Sequence, residues 1–258
     1  MVSDAPSRQR IILNCLQERE TLRNAELQKI LGTTAMTLWR DLQMLEERGL
    51  VRRLRGRVTR TERSLHEPDF HSKTDLARHA KERIAAYATV KFINVGDILS
   101  IDGGTTVAAL ARQALPPKLS ILTNSLYNAE AFLRHPARPA VYLCGGLLRE
   151  KSGTFIGREA LSFFGKRRSH TYFLSASGVD AKAGVTDLTV EDNEVKRAMA
   201  AGSERIVLLA DADKISRVSL LQVFPIKRIG HLVTNAGAKE LETIKRLVPE
   251  ILLHSVIP

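Results

Sequence analysis

Cysteine is nearly missing from this sequence: Cys15 and Cys144 are the only two in 258 residues. Their wide separation makes no Cys-x-x-Cys pair, which excludes a disulfide framework and a thiolate metal site and leaves two buried thiols in a reducing cytoplasm as the expectation. No apolar run approaches the roughly 18 residues of a membrane span, and the first residues lack the apolar core of a signal peptide. A soluble cytoplasmic chain with no membrane partner is therefore expected. Seven histidines are scattered without an HExxH or a similar ligand pair on one helix face, so neither a metal nor a cofactor is anticipated. The GxxxxGK[ST] spacing of a Walker A loop is absent, as are internal repeats and low-complexity tracts.

What is present is positive charge. The formal net charge is +11, which brings polyanions into consideration as partners. Residues 1–60 hold twelve of the cations against seven acids, so nearly half of the excess sits in under a quarter of the chain. Residues 61–75, TERSLHEPDFHSKTD, are polar, contain Pro68 and show no apolar period, and are read as a linker between domains 1–60 and 76–258.

Three short amphipathic helices fit the first fifty residues. The first, about 7–18, turns Ile11, Ile12 and Leu16 inward; the second, about 23–31, turns in Leu27, Ile30 and Leu31; the third, about 34–48, turns in Leu38, Leu42 and Leu45. Gly32 can end the second helix and Thr34 can cap the third, giving the tight corner of a helix-turn-helix, and Gly49 is expected to stop the third. The run Leu50 to Val58 is β-rich and carries Arg52, Arg53, Arg55 and Arg57 around Gly56, as a hairpin wing beside a phosphate backbone would. With the leucines inward, Thr34, Thr37, Arg40 and Gln43 are left facing out, types suited to base edges and phosphates in a major groove. A protein-binding three-helix module, or an arm that docks RNA or an acidic protein, is the competing reading.

Beyond the linker, apolar strands alternate with amphipathic stretches: DILSID, LSILTN, AVYLCGG, TYFLSASG, RIVLLAD and HLVTN, separated by segments such as TTVAALARQAL and EDNEVKRAMAA. That alternation predicts an α/β domain with a largely parallel sheet. In IDGGTTVAAL, Gly103 and Gly104 let backbone approach an anion, while a helix start and the hydroxyls of Thr105 and Thr106 supply donors; simple helix capping explains the same residues. Further candidates follow other strands: Thr123, Asn124 and Ser125; Gly145 and Gly146; Gly178 and Asp180; and Lys214. Asp102, Asn124 and Asp180 suit sugar hydroxyls and Lys214 suits a phosphate. Glu191, Glu194 and Lys196 on the following helix are candidates too, although acids near a helix start also serve the dipole.

The two halves resemble one family. RQRIILNCLQERETLRNAELQKILGTTAMTLWRDLQMLEERGLVRRLRG is similar to the winged helix-turn-helix of DeoR-type bacterial transcription regulators, whose signature runs VSxxTIRRDLxxLexxGxlxRxhGGa. Thr34 takes the place of its serine, and Thr37, Arg40, Asp41, Leu42, Leu45 and Gly49 match it. Trp39 stands where the family has its first arginine, and the wing tip reads Gly56-Arg57 in place of two glycines. Asp102 with Gly104 to Thr106, Thr123 to Ser125, Gly145 and Gly146, Gly178 and Asp180, Glu191 through Met199, and Ala210 to Lys214 follow the family's sensor-domain pattern in order. The resemblance implies a winged-helix DNA-binding domain, with Thr34, Thr37, Trp39, Arg40, Gln43, Arg53, Arg55 and Arg57 facing double-stranded operator DNA. It implies a ribose-5-phosphate-isomerase-like α/β sensor holding a phosphorylated sugar or sugar acid, and a homodimeric or homotetrameric repressor of a carbohydrate-utilisation operon. The alternative is a sugar-phosphate isomerase with a DNA-binding arm. Against it, Val195 falls where an isomerase resembling this domain would carry its carboxylate base.

Overall fold

Asp4 opens the first helix by accepting the backbone N–H of Ser7 at 3.0 Å. The computed structural model describes residues 4–19, 21–47, 50–60 and 69–256, and the chain divides into two compact units, Met1–Asp69 and Phe70–Pro258. The first unit runs α1 (Ala5–Glu18), β1 (Thr21–Arg23), α2 (Asn24–Leu31), α3 (Ala35–Glu47), β2 (Val51–Leu54) and β3 (Arg57–Arg60). Gly32 ends α2 in the left-handed conformation, φ 60°, as the corner of a helix-turn-helix requires. The hydroxyl of Thr34 accepts the N–H of Thr37 at 3.3 Å and caps α3. The expected stop at Gly49 lies outside the described residues.

Ile12, Leu16, Leu27, Leu31, Leu38, Leu42 and Leu45 close one core with Leu22, Val51 and Val58. Ile30 does not join it and is 52% exposed. At about 100° per residue, the stripe defined by Leu27 and Leu31 on so short a helix leaves Ile30 on its flank. The wing is a three-stranded antiparallel sheet in the order β1-β3-β2, because the short strand between α1 and α2 pairs with the outer edge of the hairpin. Gly56, φ +71°, makes the hairpin turn.

The second unit begins with α4 (Phe70–Thr74) and α5 (Arg78–Phe92), followed by β4 (Ile98–Ile101), α6 (Thr105–Ala108), β5 (Ser120–Thr123), α7 (Leu126–Leu133), β6 (Ala140–Leu143), β7 (Leu147–Arg149) and β8 (Thr154–Ile156). It continues through α8 (Arg158–Gly165), β9 (Ser169–Leu174), β10 (Gly178–Asp180), β11 (Gly184–Asp187), α9 (Val190–Ala201), β12 (Ser203–Leu209), β13 (Leu221–Phe224), β14 (His231–Thr234), α10 (Ala238–Leu247) and β15 (Leu252–Ser255). Of the expected linker, 61–68 lie outside the described residues, while Phe70–Thr74 is helical, with Phe70 buried against Tyr127.

All six expected strand runs lie in one parallel seven-stranded sheet, ordered β15-β14-β12-β9-β4-β5-β6, whose seventh member is β15. Alternation along each strand feeds two cores. Leu99, Ile101, Ile121, Phe173, Val207 and Val233 pack with α5 on one face, and Leu122, Tyr172, Leu174, Leu208 and Leu232 pack with α8, α9 and α10 on the other. Small antiparallel sheets, β7-β8 and β10-β11-β13, are added to this frame. The chain leaves β4 toward β5 and β6, then crosses back to β9, so the strand order reverses between β4 and β9, which in open α/β sheets marks the crevice outside the carboxyl ends where ligands bind.

Candidate functional site

In the winged unit, Thr34 is exposed just before α3 and Trp39 and Arg40 are exposed on it, while Thr37 and Gln43 are half-buried. The hydroxyls of Thr34 and Thr37 lie 3.0 Å apart, so one hydrogen bond already joins them at the helix start. Arg55 and Arg57 are exposed on the wing, as is Arg52. Arg53 departs from the expectation of a free phosphate contact. Its backbone N–H and Nε donate to Glu46 at 2.8 and 2.5 Å, and its guanidinium lies 5.4 Å from the centre of the Trp39 ring. Burial opposes ionisation of Glu46, but these bonds and the charge of Arg53 hold its carboxyl below the ordinary value. Asp41 is buried and receives Arg8 Nε at 2.7 Å and Nη2 at 3.3 Å, which raises the arginine above its ordinary value. Asp41 thus fixes α1 against α3 and leaves Arg40 to face outward.

In the second unit, Asp102 directly follows β4 and is buried. Its Oδ2 accepts the N–H of Ser175 at 2.9 Å, the hydroxyl of Ser175 at 2.8 Å and the ammonium of Lys196. Lys196 reaches Asp187 at 3.3 Å and donates to the carbonyl of Ser175 at 3.2 Å. Burial alone would lower this lysine, but Asp102 and Asp187 outweigh it and hold Lys196 above its ordinary value. Burial likewise opposes ionisation of Asp187, yet Lys196 and the Ser177 hydroxyl hold that carboxyl below its ordinary range. The sequence-predicted pair Asp102 and Lys196 therefore meets across the β4–β9 reversal as a closed lock, each group already partnered.

The glycine turn lies against this lock. A Cβ on Gly104 would stand 2.1 Å from the Ser175 hydroxyl, and one on Gly103 would stand 2.2 Å from the Thr154 methyl. Thr105 and Thr106 are buried at the start of α6. Thr123 is a brace: its hydroxyl donates to the carbonyl of Ile101 at 2.8 Å and accepts the N–H of Ser125 at 3.1 Å. Ser125 caps α7 through Asn128 N–H at 3.3 Å. Asn124 differs from both, being buried with its Oδ1 unpartnered, 3.8 Å from where a Gly103 Cβ would be.

Three expected contacts lie elsewhere. Gly178 makes room for the backbone of Arg217, whose carbonyl would be 2.3 Å from an added Cβ. Asp180 closes the β10–β11 turn by accepting the N–H groups of Lys182 and Ala183, both at 2.8 Å. Glu191 is exposed, as is Glu194, because α9 turns Asp192, Val195, Lys196 and Met199 inward at helical spacing. Val195 belongs to the core.

Residues that sequence reasoning missed take the inner places. Asp192 accepts Arg149, the Thr189 hydroxyl at 2.7 Å and the Thr154 hydroxyl at 2.8 Å, tying the β7–β8 hairpin to α9. Burial lifts its carboxyl above the ordinary value despite Arg149. Asn193 is buried with both amide atoms unpartnered. Since α9 leads into a parallel strand, its first turn lies toward the carboxyl ends of the strands, and Asn193 precedes Lys196 by about one turn in that direction. Lys81 of α5 is buried and donates to the carbonyl of Lys73 at 2.5 Å. Burial, opposed by Asp211 and reinforced by Lys214 and Lys73, pulls Lys81 down to about 8. Lys214 is lowered by burial as well, against the pull of Asp211. The helices α4 and α5, which carry Lys73 and Lys81, both pack against α6. Cys144 is buried, and its thiol is pushed up to about 12 by that burial; Cys15 is half-buried. No group of metal-ligating side chains occurs among the described residues, and no described helix is long and apolar enough to cross a membrane.

Two family matches divide the chain where the structure does: a DeoR-like helix-turn-helix domain over residues 8–64 and a DeoR C terminal sensor domain over residues 77–236. The uncharacterized HTH-type transcriptional regulator YgbI of Escherichia coli K12 is 30% identical over 234 residues, covering 90% of this chain and 91% of that protein. The glycerol-3-phosphate regulon repressor of Escherichia coli K12 is 28% identical over 227 residues, covering 87% and 88%. Ribose 5 phosphate isomerase A from Neisseria gonorrhoeae aligns structurally with 54% of this chain and 53% of its own, at 19% identity and a TM-score of 0.37. With a DNA-binding unit and a sensor unit matched in order along one chain, the protein belongs to the DeoR family of transcriptional regulators.

Proposed function

We propose that the crevice binds a phosphorylated sugar or sugar acid, and that its occupancy changes the affinity of the winged unit for operator DNA, the protein acting as a repressor of carbohydrate use. The carrying observation is the polarity of the crevice. Lys73 and Lys81 lie on helices packed against the Gly-Gly-Thr-Thr turn, and Lys214 lies within electrostatic reach of Lys81, an arrangement suited to a phosphate. Asn124 and Asn193 hold buried amide atoms without partners, which a polyhydroxylated ligand would satisfy. The name of one relative, a glycerol-3-phosphate regulon repressor, agrees with a phosphorylated effector.

One short reading helix per chain makes few base contacts, so the reading includes a dimer or tetramer that meets half-sites about 34 Å apart. Effector control needs only a difference in affinity between DNA-competent and incompetent forms. A hundredfold difference corresponds to about 2.7 kcal/mol. The segment between the two units carries that difference.

The test is an operator-binding titration with a panel of sugar phosphates, on the wild type and on Thr105→Ala with Thr106→Ala. The wild type is expected to respond to one of them, and the double variant to bind operator normally without responding. A retained response in the double variant would remove the phosphate from this turn.

A further inference from the structure

We propose that Trp39 reads the operator directly, selecting an A·T pair through apolar contact between its indole and the 5-methyl group of thymine in the major groove. The inference rests on the winged unit being the DNA reader, as the family match gives it. Trp39 is 51% exposed on α3, and Met36, one turn earlier on the same face, is 61% exposed. Spaced three residues apart, the two make a paired apolar patch beside Arg40, which the same helix presents outward.

The indole is also held in place. Arg53 lies 5.4 Å from its ring centre, and Glu46 binds both the backbone N–H and the Nε of Arg53. That chain of contacts ties Trp39 to the wing while about half of its surface stays exposed. Arg53 is thereby committed to bracing the reader, while exposed Arg52, Arg55 and Arg57 remain for phosphates. The partner this surface fits is a duplex: a flat apolar plate flanked by arginines matches a groove floor bordered by phosphates. Of the base edges in the major groove, only thymine offers a methyl group, and indole has a single N–H donor where reading guanine bidentately takes two.

The test uses the full-length protein and a random duplex pool. Binding sites are selected with the wild type, Trp39→Ala and Trp39→Arg, each first checked for an unchanged thermal melt. The wild-type sites are expected to carry thymine at one position of each half-site. Trp39→Ala should keep the remaining positions and lose that one, and Trp39→Arg should move it to guanine. Replacing that thymine by uracil removes one methyl group and should weaken wild-type binding about fourfold, the equivalent of about 0.8 kcal/mol, while leaving Trp39→Ala unaffected. Identical selected sites for the wild type and Trp39→Ala, or a wild type indifferent to uracil at every position, would overturn the assignment. Should either variant melt early, Trp39→Phe, which keeps an apolar ring, supplies the same comparison and should retain the thymine preference.

Discussion

Lys196 carries its charge in a buried place only because Asp102 and Asp187 lie against it. Removing one member of such a set leaves uncompensated charge, which is the expensive case. Lys196→Met is therefore expected to destabilise the second unit by about 3 kcal/mol or more, read as a loss of midpoint in denaturant unfolding. Acid acts on the same lock. Asp187 is depressed, so its contribution is present above the ordinary carboxylate range and is lost as pH falls through its own lower value. The type of residue was legible here while its partner was not. Asp102 and Lys196 stand far apart in sequence, and nothing but the β4–β9 neighbourhood joins them. Glu191 was misplaced for a simpler reason: three acids crowd one helical turn, and only the period through Asp192, Val195, Lys196 and Met199 tells which faces in. Asp180 carried its own signal, since an aspartate four residues before Gly184 is a turn former.

At the scale of elements, the β7–β8 hairpin joins the crevice to the first helix of the second unit. Thr154 presses on Gly103 and donates to Asp192, while Phe155 N–H donates to the carbonyl of Asn124 at 2.7 Å. Across the turn, the carbonyl of Lys151 accepts the N–H of Phe70 at 2.9 Å, and Phe70 stacks on Tyr127 with ring centres 4.5 Å apart. Gly153 lies flat beneath Tyr127, where a Cβ would stand 2.2 Å from the ring. Phe70→Ala removes the ring that holds α4 there. Faster amide exchange is expected in residues 70–76, with β4, β9 and β12 unchanged, and mass spectrometry of the exchanged chain checks it. If the hairpin transmits occupancy, the same variant binds effector but no longer changes its hold on DNA. Sequence patterning found six strands of the parallel sheet because each sends apolar residues to both faces. It missed the hairpin, β10-β11-β13 and β15, which carry glycine, aspartate or arginine or lie half-exposed at an edge.

For the whole molecule, an excess of +11 is divided between two tasks that differ in their surroundings. Arg40, Arg52, Arg55 and Arg57 of the winged unit are exposed, so their attraction for DNA falls steeply with added salt. Lys81 is buried, is screened far less, and answers to pH instead. Its value of about 8 means that the ligand-free protein loses this charge as pH rises through 8, whereas an unfolded chain keeps it to the ordinary lysine range. Between these values the folded state binds fewer protons than the unfolded one, so Lys81 makes stability rise with pH. Anion binding has the opposite sign. A phosphate beside Lys81 favours the charged form, so binding above pH 8 takes up a proton, and affinity falls by up to about tenfold per unit. From pH 7.5 to 9.5, effector affinity measured by calorimetry is therefore expected to decline while the melting temperature of the ligand-free chain does not. Lys81→Met should flatten the affinity profile and weaken binding at pH 7.5, with operator affinity in the absence of effector unchanged. An affinity as steep in the variant as in the wild type would move the phosphate away from Lys81.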